Sequence, residues 1–168
     1  MPHPLVLALF DNAASAAAAA RELRGLGVPR ERVSIVARSH DEEGTLANAS
    51  GGSPGSEIED SAPAGRLGEL GGHLLAAIAL VMPGIGPIVA DGPLAAELGE
   101  AAGHLAGGVA HTLETAGLSR AEAEQWEADI HGGGFLVGAH VTADAVEAAR
   151  GVMSRAGASR VAGGVWRD

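Results

Sequence analysis

Residues 74–111 read LLAAIALVMPGIGPIVADGPLAAELGEAAGHLAGGVAH, an apolar, glycine-rich run in a chain otherwise soluble by composition. Membrane hairpin, ligand pocket and two packed helices compete to explain it. Two helical arms can be drawn on either side of Pro83-Gly84-Ile85-Gly86-Pro87. In the first, Leu67, Leu70, Leu74, Ile78 and Val81 recur at steps of three and four, an apolar stripe. Gly68, Gly72 and Ala76 form a small-residue stripe beside it, and Arg66, Glu69 and His73 a polar one. The second arm, 94–116, repeats the design. Leu94, Leu98, Leu105, Val109 and Leu113 are its apolar stripe, Gly99, Gly103 and Gly107 its glycine stripe, and Glu97, Glu100, His104 and His111 its polar face.

A membrane-spanning helix needs roughly 20 consecutive apolar residues. The stretch free of Asp, Glu, Lys and Arg runs only from Leu70 to Ala90, and prolines and glycines break it. Glu97, Glu100 and Glu114 would be costly in hydrocarbon. The expectation is a soluble Gly/Ala-rich α-helical hairpin over 66–117, its glycine stripes allowing close packing, folded on a sheet or on a second copy.

The flanks supply the sheet. Leu5–Phe10 (LVLALF) reads as a buried strand. Asp11-Asn12 offers N-cap chemistry to an alanine-rich helix that buries Ala16, Ala19, Ala20, Leu23 and Leu26 and stops at Gly27 before Pro29. Arg32–Arg38 is a second strand, so 1–38 forms a first βαβ half. Residues 39–65 are acidic and rich in Gly, Ser and Pro without an apolar period, a flexible linker by composition and dispensable for folding.

Residues 118–168 form a second αβαβ half. Ser119-x-x-Glu122 is a capping box, Leu118 staples onto Ala123, and the helix carries Trp126 and Ile130 before stopping at Gly132-Gly133-Gly134. A strand at 135–142, a helix at 145–156 and a weaker strand at 159–166 follow. Shifted by 130 positions the two halves mirror each other, with Gly27 on Gly157 and Arg30 on Arg160. Two such halves in one sheet predict an α+β, ferredoxin-like (split βαβ) layer carrying the inserted hairpin.

Composition narrows the functions. Across 168 residues the formal charge is −10, with 21 acidic against 11 basic residues, which argues against nucleic-acid binding. With only 2% aromatics, Ala, Leu, Val and Gly must fill the core; zero Cys excludes disulfides, thiolate metal sites and Cys nucleophiles. The N-terminus lacks a basic region and a cleavage site and reads as a first strand, so the expected compartment is the cytoplasm.

FDN after the first strand, GVPRERVSIVAR, PGIGPIVADGPLAAELG and EAEQWEADIHGGGFLVGAHV together resemble the general-stress-protein family of small, heat-induced bacterial proteins. The resemblance covers most of the chain outside 40–63. It implies a ferredoxin-like domain with a Gly/Ala-rich hydrophobic insertion, and a stress-response association in bacteria. The family brings no established reaction and no catalytic residues.

Histidine is the one suggestive side chain. His104 and His111 lie two turns apart, about 10 Å along a helix, too far to share a small ion. Glu100 and His104, four residues apart, could share a metal, with His73 joining from the facing arm; the bland reading is a solvated polar face. A haem, needing one axial His, fits His104 or His111 beside a glycine-walled groove. His140 alternates with Leu136 and Gly138, on an open sheet face or as a half-exposed strand residue. The Gly132–Gly134 run follows a helix, the wrong order for a phosphate cradle. No hydrolase or nucleotidase motif occurs. Three readings stay open: a non-enzymatic stress module that dimerises through its open sheet face or hairpin, a haem- or metal-binding protein, and a peripheral membrane protein.

Overall fold

The computed structural model describes residues 2–38, 78–82, 86–102 and 108–167, with 78–82, 86–87 and 100–102 described by backbone course alone. Strand β1 (His3–Phe10) is fully buried from Leu5 onward. Its alternation sends Leu5, Leu7 and Leu9 into one layer and Val6, Ala8 and Phe10 into the other. A strand apolar at every position suits a sheet covered on both faces, and that is the architecture.

Asn12 caps helix α1 (Ala13–Gly25), its side chain accepting the Ser15 N–H at 2.8 Å. Ala13, Ala16, Ala17, Ala19, Ala20 and Leu23 are buried, so the helix backbone lies close to the sheet. Leu26, expected on that face, is 47% exposed. The helix ends one residue before it, and Val28 turns inward instead. A 3-10 turn at Arg30–Arg32 leads into β2 (Val33–Arg38).

The end of the first hairpin arm departs from expectation. Residues Ile78–Met82 form strand β3 and Gly86–Asp91 strand β4, paired antiparallel from Ile78↔Ala90 to Met82↔Gly86. A short apolar run reads equally as buried helix or strand, and Pro83–Pro87 leaves only Ile88–Ala90 as an apolar run before Asp91. Pairing of β4 with β2, Ile35↔Asp91 to Arg38↔Ile88, supplies backbone partners that decide for strand. The second arm is two helices, α2 (Pro93–Ala102) and α3 (Val109–Thr115), rather than one. Leu94, Leu98, Val109 and Leu113 are buried as its stripe predicts. Leu67, Leu70, Leu74, the 39–65 linker and Gly68, Gly72, Gly103 and Gly107 lie outside the described residues.

Helix α4 (Arg120–His131) begins at the Ser119/Glu122 capping box and buries Ala123, Trp126 and Ile130. It stops at the glycine triplet, where the Gly132 N–H returns to the Ala128 carbonyl. Then come β5 (Phe135–His140), a 3-10 turn at Ala143–Ala145, α5 (Val146–Arg155) and β6 (Arg160–Trp166).

The described strands make a six-stranded sheet, order β3-β4-β2-β5-β1-β6, with every neighbouring pair antiparallel. The unit β1-α1-β2 brackets β5, and β5-α5-β6 brackets β1, so the two halves interlock. Helices α1 and α5 cover the face of Val6, Ala8, Phe10 and Val137. Helices α2, α3 and α4 cover the face of Leu5, Leu7, Leu9, Val36 and Leu136. The face expected to lie open or to await a second copy is thus closed from within the chain.

Candidate functional site

The strand register brings three distant polar side chains together beneath the α2 layer. Ser34 is the polar residue of the buried run VSIV, and His140 ends β5; both are essentially fully buried. His140 Nε2 lies 3.1 Å from Ser34 Oγ, and its Nδ1 lies 3.0 Å from His3 Nε2. His3, at the start of β1, is half-buried and forms the outer end. The Trp166 ring meets the His140 ring edge-on with centroids 5.2 Å apart.

The inner end is tied to a helix start. Ser34 Oγ accepts the Leu94 N–H at 3.1 Å, satisfying one of the free amides of the first turn of α2. Gly92 makes the approach feasible. It holds φ +83, and a Cβ there would strike the Val33 carbonyl and the Ser34 backbone. Its N–H donates to the carboxylate of buried Asp91 at 2.8 Å.

With the Ser34 hydroxyl donating to His140 Nε2, the His140 proton sits on Nδ1 and faces His3 Nε2; the other tautomer reverses both contacts. Hydroxyl, imidazole and orienting group also stand in this order in nucleophilic enzymes. Ser34, however, is fully buried with Leu94 against its oxygen. The arrangement gives a substrate no access to the hydroxyl.

Two surface clefts lie elsewhere. One of about 710 Å³ straddles the end of β6, with Leu5, Glu114, Gly164, Val165 and Arg167 on its walls. The other, about 550 Å³, sits where β1 ends, among Asp11, Asp129, Gly133 and Arg160. Arg160 and Asp129 form an ion pair across it at 3.1 Å. Neither cleft is lined by Ser34 or His140.

Most of the residues expected to hold a metal or haem lie outside the described residues. His111 is exposed on α3, Glu97 is half-buried on α2, and Gly99 is partly buried. His73, His104 and the Glu100 side chain lie outside the described residues. Among the described residues no group of three His, Cys, Asp or Glu comes together to hold an ion. His140, expected on an open face or half-exposed, is 1% exposed, because α2 and Trp166 close over it. Its link to Ser34 spans 106 residues and that to His3 spans 137, so no local spacing could announce either. The one available signal was a hydroxyl and an imidazole, each inside an otherwise apolar strand.

No helix among the described residues is long and apolar enough to cross a membrane. Compared with family models, with curated proteins and with solved structures, the chain finds no match in any of the three.

Proposed function

We propose that the chain is a non-enzymatic module of ferredoxin-like organisation that serves the bacterial stress response in the cytoplasm by self-association. The strand order β6-β1-β5-β2 within the sheet, with crossovers through α1 and α5, supports the fold reading. The stress association rests on the resemblance of the 83–99 and 122–141 stretches to the general-stress-protein family.

The observation that carries self-association is the state of edge strand β6. Among the described residues both sheet faces are occupied by the chain's own helices, and β6 has β1 as its one strand neighbour, which leaves its outer edge for a partner copy. The Val165 N–H points away from β1 and donates to the Ala116 carbonyl at 3.0 Å, so that end of the edge is capped. By alternation the Val161 and Gly163 backbone groups also point outward. An antiparallel β6–β6′ pairing about Ala162 would set Val161 against Gly163 of the second copy in both directions, the isologous contact of a two-fold dimer.

Light scattering of the native chain should return twice its 16.6 kDa mass at micromolar concentration. Gly163→Pro removes an outward N–H while sparing the ladder to β1, and should shift the species to monomer without lowering the melting temperature. A monomeric native chain at high micromolar concentration would defeat the reading. A Soret band after haem addition, or partition into liposomes, would favour haem binding or membrane association instead. Loss of the gene should reduce survival of its bacterial host after heat stress.

A further inference from the structure

We infer that the cleft where β1 ends binds a small zwitterion, a free amino acid or dipeptide, with Arg160 taking its carboxylate and Asp11 its ammonium group. The cleft encloses about 550 Å³, within the range of small-ligand sites. Arg160 and Asp129 form its oriented wall. Arg160 Nε lies 3.1 Å from Asp129 Oδ2, and Gln125 Nε2 donates to the other carboxylate oxygen at 3.3 Å. Among the described residues neither Nη group of Arg160 has a partner. The carboxylate thus holds the guanidinium at one nitrogen and leaves its two-pronged end for an incoming oxyanion.

Asp11 supplies the opposite charge. It lines the cleft, is exposed, and has no ion-pair partner among the described residues. Leu9 is the ladder partner of Arg160, and Asp11 follows Leu9 by two positions, roughly 7 Å along the chain. That offset suits a molecule whose two charges are a few bonds apart. Two carboxylates against one guanidinium disfavour a lone anion. The loop disfavours a phosphate as well. The N–H groups of Gly132, Gly133 and Gly134 are spent on the Ala128, Ile130 and Asp129 carbonyls, so they form no anion cradle.

The glycines of the wall are not all demanded by the fold. Gly133 holds φ +106, and a Cβ at Gly134 would strike the Asp129 carbonyl oxygen, so both positions need glycine. Gly132 does not. Its φ of −74 is helical, and an added Cβ would meet only ordinary contacts at 3.5 Å, to the Ala128 and Asp129 carbonyls. Most residues would serve the end of α4 better than glycine. What Gly132 provides is an open wall, since it too lines the cleft. A larger side chain there would leave the backbone unstrained and narrow the space.

Nitrogen-15 spectra of the native chain, titrated with glycine and with glycylglycine, read the site directly. The expected result is saturable shifts of the Gly132, Gly133 and Gly134 amides and of the Arg160 side-chain resonance. Acetate and methylammonium, each carrying one of the two charges, should bind at least roughly tenfold more weakly. Arg160→Gln and Asp11→Asn should each weaken zwitterion binding by a similar factor, and Gly132→Leu should abolish it with the melting temperature held or raised. Spectra unchanged by both zwitterions at about 10 mM would overturn the inference. So would acetate or methylammonium binding as tightly as glycylglycine, or shifts that survive Arg160→Gln.

Discussion

At Gly164 the side chain has been given up to bring two layers together. A Cβ there would run into the Ala116 carbonyl oxygen, the same atom that accepts the Val165 N–H. Gly164→Ala should therefore push the α3–α4 turn off β6 and destabilise by about 1–3 kcal/mol, as overpacking does. At Gly25, the last residue of α1, an added Cβ would meet nothing within 4 Å, so the same change there should stabilise by up to about 1 kcal/mol. Urea denaturation of the two variants side by side tests both signs. Glu122 is a second residue-scale case. Hydrogen bonds from the Ser119 hydroxyl and backbone hold its carboxyl below the ordinary glutamate range. A lowered folded-state value means its contribution to stability is complete above the ordinary range and fades as pH falls through the lowered one. An NMR titration of Ser119→Ala should find the Glu122 midpoint moved back up.

Helix α4 depends on a single stripe. Trp126 is buried at its centre, between Ala123 and Ile130 and among the leucines of the second core layer. In a chain with 2% aromatics Trp166 is the one residue of that size in the same layer, and its ring is packed edge-on against His140. Trp126→Ala should cost about 3–5 kcal/mol, whereas Leu26→Glu on exposed ground should stay within about 0.5 kcal/mol. Thermal melts of the two variants decide whether α4 is held by its stripe. The β3–β4 hairpin shows the opposite relation between pattern and element. A step-of-three stripe runs through Ile78 and Val81, yet the segment is strand, because β4, itself paired on β2, presents an edge that a helix could not satisfy.

Charge governs behaviour at the scale of the whole molecule. Each copy carries −10, so two copies repel until salt screens them. The proposed association through β6 would rely on backbone hydrogen bonds and small side chains rather than ion pairs. Raising salt from about 50 to 500 mM shortens the Debye length several-fold and should strengthen the dimer. Analytical ultracentrifugation across that range checks it, and a dimer that weakens with salt would instead be held by charge. Lowering pH toward the pI near 5.0 should act in the same direction by reducing repulsion.

The sequence by itself determined what local physics decides. Asn12 and Ser119 mark helix starts, and alanine spacing marks the buried side of α1. The glycine triplet marks a stop, and the mirrored halves mark four strands and two crossover helices. Caps, periods and turns act over a few residues and can be read from a few residues. Tertiary structure alone decided that 78–91 is a hairpin on β2, that the second helical arm is two helices, and that both sheet faces close within one chain. It alone joined Ser34, His140 and His3, whose contacts cross more than a hundred residues. Strand partners and buried polar contacts are chosen by what lies alongside in space. An apolar run or a lone histidine has the same local character whatever its distant neighbour turns out to be.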